Sequence, residues 1–316
     1  MNFRLVFKRV STASWVLALM AHSINSVSTA NDPAGAHYST IAHDGIERRY
    51  LLRVPASLRG NSSVVPLVIV LHGGGGNARN AENMTGFTAK AAREGFIVAY
   101  PEGTGRNKGK LLTWNAGHCC GPAMENEVDD VGFISAMIDH VSARYTIDPD
   151  RIYATGMSNG GMMAHRLGME LAGRLAAIAP VVATLFGDEV VPRSGVSALM
   201  INGMRDESVP FRGGATGGHF PDAWDGTPMQ PALYQATFWA DVDKCPPPAR
   251  IERNSGYILR AYECPAQRAV QLYLIKNEGH SWPGGRAGSI LGDSPGTALN
   301  ATDVIWDFFQ QHPRGW

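Results

Sequence analysis

Gly156-Met157-Ser158-Asn159-Gly160 is the stretch that decides the fold. Residues 151–155 before it are typical of a buried strand, and residues 161–167 after it are typical of a helix. A G-x-S-x-G sequence between a strand and a helix predicts a sharp turn that lifts its central serine above the edge of a sheet. Glycine is needed two positions to either side because a Cβ there would clash with the neighbouring strand and helix. We therefore predict that Ser158 is a nucleophile at a helix N-terminus, where backbone N–H groups can stabilise an oxyanion.

The composition is that of an ordinary globular protein. The chain has 316 residues, 44% of them hydrophobic and 18% charged, so it can bury a sizeable core. Basic and acidic residues both number 28, so no global field favours nucleic acid or an anionic membrane surface. We therefore expect no nucleic-acid partner.

The first thirty residues have the pattern of a secretory signal. A basic start that includes Arg4 precedes a short apolar stretch at residues 15–21, and Ser28-Thr29-Ala30 supplies small residues where a signal peptidase cuts. The apolar stretch is too short to span a membrane. We therefore predict a signal peptide over residues 1–30 and a secreted or periplasmic protein; an N-terminal segment of a cytosolic protein is the alternative.

Four cysteines agree with export, because an even number in an exported chain suggests disulfides. Cys245 begins a proline-rich turn and Cys264 ends a strand-like run, an arrangement that suits a bridge across a hairpin. Cys119 and Cys120 are adjacent and either form a vicinal disulfide or remain thiols. Neither pair has the separated ligand spacing of a zinc site, so we expect no metal.

From residue 38 onward, strand-like and helix-like runs alternate. Such alternation predicts one α/β domain over residues 31–316, with a mostly parallel central sheet and helices on both faces. A Gly/Pro-rich loop insertion covers about residues 211–230. Predicted strands cover residues 38–42, 48–54, 66–71, 96–100, 151–155, 176–182, 197–202, 257–262 and 270–275; predicted helices cover residues 83–94, 129–145, 161–167, 233–241 and 302–310.

A serine nucleophile needs a base, and the base needs an acid that orients it. His280 lies in a loop just after the last predicted strand, and catalytic groups collect at such carboxyl ends. Asp206 follows the strand at residues 197–202, which places it between nucleophile and base in the chain order of hydrolases built on such sheets. We predict His280 as the base and Asp206 as the acid, with Asp188 or Glu189 as the alternative acid.

An oxyanion hole needs two N–H donors directed at the carbonyl oxygen. The residue after the nucleophile, Asn159, supplies one. The other is expected from the glycine-rich loop after the strand at residues 66–71, where Gly74 is the prediction and Gly75 the alternative. A phosphate-binding loop is a weak alternative because the Gly-Lys-Ser/Thr ending is missing.

Several motifs together resemble the secreted polyhydroxybutyrate-depolymerase-like esterases, a group that includes feruloyl esterases and acetylxylan esterases of carbohydrate esterase family one. They are Leu71-His72-Gly73-Gly74-Gly75, Trp114-Asn115-Ala116-Gly117 with Cys119-Cys120, Asp129-Asp130-Val131-Gly132-Phe133, the Ser158 segment, the Asp206 segment, and Gly279-His280-Ser281-Trp282-Pro283-Gly284. The resemblance implies an α/β-hydrolase fold, a Ser158–Asp206–His280 triad, a Cys245–Cys264 bridge and a serine esterase without a cofactor.

The resemblance also implies a small-molecule or oligomeric ester substrate, such as a hydroxybutyrate oligomer, a feruloyl ester or an acetyl ester. The sequence departs from extracellular polymer degraders in showing no linker and no second module, so we do not expect activity on crystalline polyester. A true polymer depolymerase, a peptidase or acyltransferase with the same triad, and a binding protein without turnover are the alternatives.

Three loop tryptophans are candidates for substrate contact. Trp114, Trp224 and Trp282 lie at the predicted carboxyl side of the sheet, where indoles can stack on sugar or phenyl rings. We expect Trp282 and Trp114 to bind substrate, with packing against the core as the alternative.

Overall fold

The computed structural model describes residues 30–31, 37–60, 62–106, 109–215, 223–247, 249–288 and 292–315. The predicted signal peptide lies outside the described residues except for Ala30, as does the 216–222 part of the predicted loop insertion. The strands of the described residues are β1 Ala30–Asn31, β2 His37–His43, β3 Ile46–Arg53, β4 Val65–Leu71, β5 Ile97–Pro101, β6 Ile147–Met157, β7 Ala177–Val181, β8 Ser197–Gly203, β9 Arg250–Arg253, β10 Tyr257–Glu263 and β11 Ala269–Ile275. Their helices are α1 Ala78–Thr85, α2 Phe87–Glu94, α3 Gly121–Glu125, α4 Asp130–Ser142, α5 Asn159–Glu170, α6 Ala232–Val242 and α7 Ala301–Gln311.

All of these strands belong to one sheet, in the order β1-β2-β3-β5-β4-β6-β7-β8-β11-β10-β9. The six central strands, β5 to β11 in that order, pair in parallel, and antiparallel strands extend the sheet at both edges. The loops after β4, β6, β8 and β11 therefore leave the same edge of the sheet. The predicted mostly parallel sheet is confirmed.

The sheet separates two hydrophobic cores, and side chains of β4 alternate between them. Leu67, Ile69 and Leu71 pack with residues of α4, α5 and α6 on one face, whereas Val68 and Val70 pack with residues of α1, α2 and α7 on the other. Every residue of β4 is buried. This explains the uninterrupted apolar sequence of the strand, because a central parallel strand has no solvent-exposed face.

The structure differs from the sequence-based elements in several places, among them the short helix α3, which was not predicted. The predicted helix at residues 83–94 is two helices, because Gly86 adopts a left-handed conformation with φ 70° and ends α1. The edge strand β9 was missed because all four of its residues are exposed and it has no apolar alternation.

Two disulfides are present, Cys119–Cys120 and Cys245–Cys264. The adjacent cysteines, which the sequence left open between thiols and a bridge, are therefore bonded to each other. Among the helices of the described ranges, none combines the length and apolar character that a bilayer crossing requires.

Candidate active site

Ser158 stands at the turn between β6 and α5. Its backbone has φ 57° and ψ −126°, a left-handed conformation that is rare outside glycine and costs free energy. The turn is held on both sides, since the Ser158 N–H donates to Val181 O at 2.9 Å and the Ser158 carbonyl accepts from Met162 N at 2.9 Å. The side chain is partly exposed although its neighbours in sequence are buried.

The two flanking glycines have no room for a side chain. A Cβ on Gly156 would lie 2.6 Å from Gly160 O and 2.8 Å from the Leu71 Cβ. A Cβ on Gly160 would lie 2.6 Å from Leu71 O and closer still to His72 O. The spacing in the G-x-S-x-G run therefore follows from the contact between the turn and the end of β4.

Asp206, in the loop after β8, is hydrogen-bonded to His280 in the loop after β11. The His280 Nδ1–H donates to Asp206 Oδ2 at 2.8 Å, and Asp206 Oδ1 accepts from the backbone N–H groups of Ser208 and Val209, both at 2.8 Å. The Asp206 side chain is 0% exposed and the His280 side chain 18%. This arrangement holds the imidazole with Nδ1 protonated and leaves Nε2 as the acceptor.

The loop that carries His280 is tied to the loop that carries Asp206 and to a later segment. Arg205 N donates to Glu278 O at 2.9 Å, and the His280 N–H donates to Asp293 Oδ2 at 2.6 Å. The buried Glu278 carboxylate accepts from Ser281 Oγ and from Gly296 N. Sequence reasoning missed Glu278 and Asp293; only the position of Glu278, two residues before the predicted base, offered a signal.

The alternative acids have other partners. Asp188 Oδ2 accepts from His118 Nε2 at 2.9 Å. Glu189 accepts from the backbone N–H groups of Phe186 and Gly187. Asp206 is thus the predicted acid that the structure brings to His280.

No hydrogen bond joins Ser158 Oγ to His280 among the described residues. Hydrogen bonds between nucleophile and base are often long without substrate and shorten when it binds. The two side chains nevertheless leave the same edge of the sheet, because each follows a strand of the parallel set.

The glycine-rich loop after β4 packs against this turn. A Cβ on Gly74 would lie 3.7 Å from the Asn159 Cβ, and one on Gly73 would lie 3.7 Å from the Ser158 Cβ. The Gly75 N–H donates to Leu112 O at 2.8 Å, so it is not free to bind an oxyanion. Asn159 begins α5, and its N–H has no acceptor within the helix. Of the two glycines proposed from sequence, Gly74 is the one whose N–H makes no hydrogen bond among the described residues.

Buried side chains fix the glycine-rich loop and the turn relative to each other. Asn159 Oδ1 accepts from Trp114 N at 2.7 Å and Asn159 Nδ2 donates to Trp114 O at 2.9 Å. His72 Nδ1 donates to Gly73 O at 2.8 Å, and His72 Nε2 accepts from Gly103 N at 3.0 Å. Burial lowers the pKa of His72 to about 4, so the ring is neutral and keeps this tautomer.

A second buried histidine fixes the helix that follows Ser158. His165 on α5 hydrogen-bonds to Gln235 Oε1 at 2.7 Å and accepts from Trp239 Nε1 at 3.0 Å, both on α6. Gln235 Nε2 donates in turn to Ala183 O at 3.0 Å, after β7. Burial lowers the pKa of His165 to about 4 as well.

The structure buries both tryptophans that were predicted to contact substrate, Trp114 and Trp282. Both side chains are 0% exposed. Trp114 Nε1 donates to His72 O at 2.9 Å, and Trp282 Nε1 donates to Thr302 Oγ1 at 3.0 Å. Each indole packs in the protein interior beneath the loops, and an internal hydrogen bond satisfies its one polar atom.

Comparison with known proteins identifies the family of the chain. Residues 49–216 match the family model described as Esterase PHB depolymerase. The chain is similar to the protein named "Putative esterase NocK" of Nocardia uniformis subsp. tsuyamanensis, with 32% identity over 235 residues that cover 70% of this chain and 66% of that protein. It is also similar to Feruloyl esterase B of Piromyces equi, with 28% identity over 249 residues that cover 76% of this chain and 44% of that protein.

The chain thus spans less than two thirds of the length of these relatives. Among solved structures, an acetyl xylan esterase from Aspergillus awamori superposes with a TM-score of 0.60 at 14% identity, covering 87% of this chain and 99% of that one. At this identity the likeness supports the α/β-hydrolase fold alone. The family model, which matches more than half of the sequence, places this chain in the PHB depolymerase family of esterases.

Proposed function

We propose that this chain hydrolyses carboxylic esters with Ser158 as nucleophile, His280 as base and Asp206 as the acid that orients the base. The hydrogen bond of 2.8 Å between His280 Nδ1 and Asp206 Oδ2 is the observation that carries the proposal. It leaves Nε2 of a partly exposed imidazole as the acceptor, in a loop that leaves the same edge of the sheet as the strained Ser158 turn. Membership of the esterase family supports the same chemistry.

In this mechanism Ser158 Oγ attacks the ester carbonyl carbon while His280 Nε2 takes the hydroxyl proton. The carbonyl oxygen becomes an oxyanion, which the N–H groups of Gly74 and Asn159 stabilise. His280 then gives its proton to the departing alcohol. Water, deprotonated by the same imidazole, attacks the acyl group, releases the acid and restores Ser158. Asp206 stays ionised throughout and offsets the imidazolium charge.

The proposed substrate is a small-molecule or oligomeric ester, and the protein is proposed to act outside the cytosol. The name of the relative Feruloyl esterase B supports a carboxylic ester, such as a feruloyl ester, as substrate. Two disulfides support an oxidising compartment. Hydrolysis of soluble esters, rather than of crystalline polyester, is the expectation.

Labelling with a fluorophosphonate probe tests the nucleophile directly. The wild type should be labelled at Ser158 and should hydrolyse p-nitrophenyl acetate, whereas Ser158→Ala should lose both properties, with a loss of several orders of magnitude in kcat. Ser142→Ala is the matched control because Ser142 is an exposed serine at the end of α4. A wild type that is folded but neither labelled nor active would indicate a binding protein and overturn the proposal.

Replacement of the acid separates its orienting role from folding. Asp206→Asn keeps the acceptor oxygen for the two backbone N–H groups but loses the charge opposite His280, so kcat should fall by roughly 10⁴ as in the protease precedent. Glu207→Gln, at the exposed neighbour of Asp206, is the control and should leave kcat within twofold of the wild type. If Asp206→Asn retained full kcat, another group would have to orient His280.

A further inference from the structure

A second histidine is bracketed by carboxylates at the catalytic edge of the sheet. His118 lies in the loop after β5, Asp188 in the loop after β7 and Asp225 in the loop after β8. All three loops leave carboxyl ends of parallel strands, the edge from which Ser158 also emerges. His118 lies between the motif residues Gly117 and Cys119, but the cluster as a whole is not a sequence motif, because its members are brought together only by the loops.

Both ring nitrogens of His118 face a carboxylate. Nδ1 donates to Asp225 Oδ2 at 2.6 Å, and Nε2 donates to Asp188 Oδ2 at 2.9 Å. Thr227 Oγ1 lies 3.0 Å from Nδ1, so it is the third polar group at the ring. Two carboxylate acceptors require both nitrogens to carry hydrogen, which favours the imidazolium. Since the carboxylates approach opposite nitrogens, they do not converge on one point as metal ligands would.

The same contacts fix the position of Trp224. The backbone of Trp224 pairs with that of Cys119 as an antiparallel bridge, and Asp225 N donates to His118 O at 3.3 Å. Cys119 Sγ lies 3.7 Å from Nδ2 of Asn159, the residue after the nucleophile. A short series of contacts therefore joins Trp224 to the catalytic turn.

The indole of Trp224 differs from the other two loop tryptophans in its exposure. Trp114 and Trp282 are 0% exposed, whereas Trp224 is half-buried. Phe186 packs between the aromatic rings of the cluster, with its centroid 6.0 Å from that of Trp224 and 4.9 Å from that of His118. One part of the indole is thus supported by protein and another part is accessible.

We propose that Trp224 is the substrate-contacting residue that selects esters with a flat ring near the scissile bond, and that His118 with Asp188 and Asp225 forms an ionic clamp that positions it. The ring is either an aromatic acyl group or a pyranose, because both present an apolar face to an indole. The proposal rests on the esterase function above. His118 is a positioning residue, since it acts through Trp224.

Kinetics with three esters tests the role of Trp224. Methyl ferulate carries an aromatic ring, an acetylated xylo-oligosaccharide carries a pyranose, and triacetin carries no ring. Trp224→Ala should raise KM about tenfold for the ring-bearing ester that the wild type prefers and leave KM for triacetin within twofold. Trp224→Phe should bring KM for this ester most of the way back to the wild-type value. Val64→Ala is the control, because Val64 is 54% exposed and precedes β4 at the opposite edge of the sheet.

The clamp is tested by the pH dependence of the same KM. Partial burial alone would lower the pKa of His118, but hydrogen bonds and charges from Asp225 and Asp188 outweigh it and raise the pKa. The clamp should therefore be intact at low pH and be lost as pH rises through this raised pKa, so KM for the ring-bearing ester should rise with pH. His118→Gln should make that KM high and independent of pH, with kcat for triacetin unchanged.

Three outcomes would overturn the proposal while Ser158 is still labelled by the fluorophosphonate. They are an unchanged KM for ring-bearing esters in Trp224→Ala, an equal rise in KM for triacetin, and a wild type that hydrolyses triacetin but neither ring-bearing ester. Absence of labelling would instead refute the esterase function itself. If Trp224→Ala does not fold, the same comparison of KM between ring-bearing esters and triacetin is made with His118→Gln and Asp225→Asn over the whole pH range.

Discussion

At the scale of single residues, the catalytic turn depends on positions that have no side chain. Gly160 passes so close to the end of β4 that a methyl group would collide with the carbonyl oxygens of Leu71 and His72. Both oxygens belong to the backbone, and His72 is followed directly by the glycine-rich loop. A change at Gly160 therefore disturbs the proposed nucleophile and the proposed oxyanion donor together.

Gly160→Ala should lower kcat/KM at least 100-fold, because displacements of about 1 Å in an active site have costs of this size. It should also lower the melting temperature. Activity on p-nitrophenyl acetate and thermal unfolding are the measurements. Gly173→Ala is the control, since a Cβ there meets nothing within 4 Å. Equal activity of the two variants would contradict the close packing of the turn.

At the scale of elements, α6 and β10 are linked by a covalent bond. Cys245 follows α6 and Cys264 follows β10, with a sequence separation of 19. The bond closes this loop in the unfolded chain and so reduces the entropy gained on unfolding. It lies outside the proposed catalytic groups, and its loss should affect stability rather than chemistry.

Replacement of both cysteines by serine (Cys245→Ser with Cys264→Ser) should lower the free energy of unfolding by roughly 3 kcal/mol, the value that chain entropy predicts for a loop of this length. Chemical denaturation measures the change. The activity of the folded variant at 25 °C should stay near that of the wild type. A large loss of kcat without a loss of stability would show that the bond has a catalytic role.

At the scale of the whole molecule, three buried groups make stability depend on pH in opposite directions. His72 and His165 have a pKa of about 4 in the folded state, below the usual value of 6.5, so their contribution is present above pH 6.5 and is lost as pH falls toward 4. Asp243 follows α6 and is 0% exposed. Burial raises its pKa from 3.8 to about 7, although the ion pair with Arg268 opposes the rise. The contribution of Asp243 to stability is present in full below pH 3.8 and is lost as pH rises through 7.

Asp243→Asn should therefore remove the decrease in the free energy of unfolding that Asp243 causes as pH rises from about 4 to 7. The free energy of unfolding of the variant, minus that of the wild type, should increase with pH by up to about 1.4 kcal/mol per pH unit in this window. Urea denaturation at several pH values measures the difference, in which the two histidines cancel. Asp241→Asn, at an exposed position of the same helix, is the control and should show no such trend.

Much of the architecture was predictable because local sequence and tertiary structure agree there. The uninterrupted apolar run of β4 and the alternation of strands with helices predicted a parallel sheet, which is confirmed. The break at Gly86 was not predicted, since helical periodicity continues across it while the backbone does not. The edge strand β9 escaped detection because exposed strands carry little hydrophobic pattern.

The sequence by itself determined which residues are candidates for nucleophile, acid and base. The G-x-S-x-G run, the glycine-rich loop and the order of Ser158, Asp206 and His280 follow from local backbone requirements and chain order, both of which are written along the chain. Tertiary structure alone decided which groups meet. It paired Asp206 rather than Asp188 with His280, occupied the N–H of Gly75, buried Trp114 and Trp282, and left Trp224 half-exposed beside His118. The physical reason is that burial and hydrogen-bond partners depend on loops that are distant in sequence and come together only when the sheet has formed.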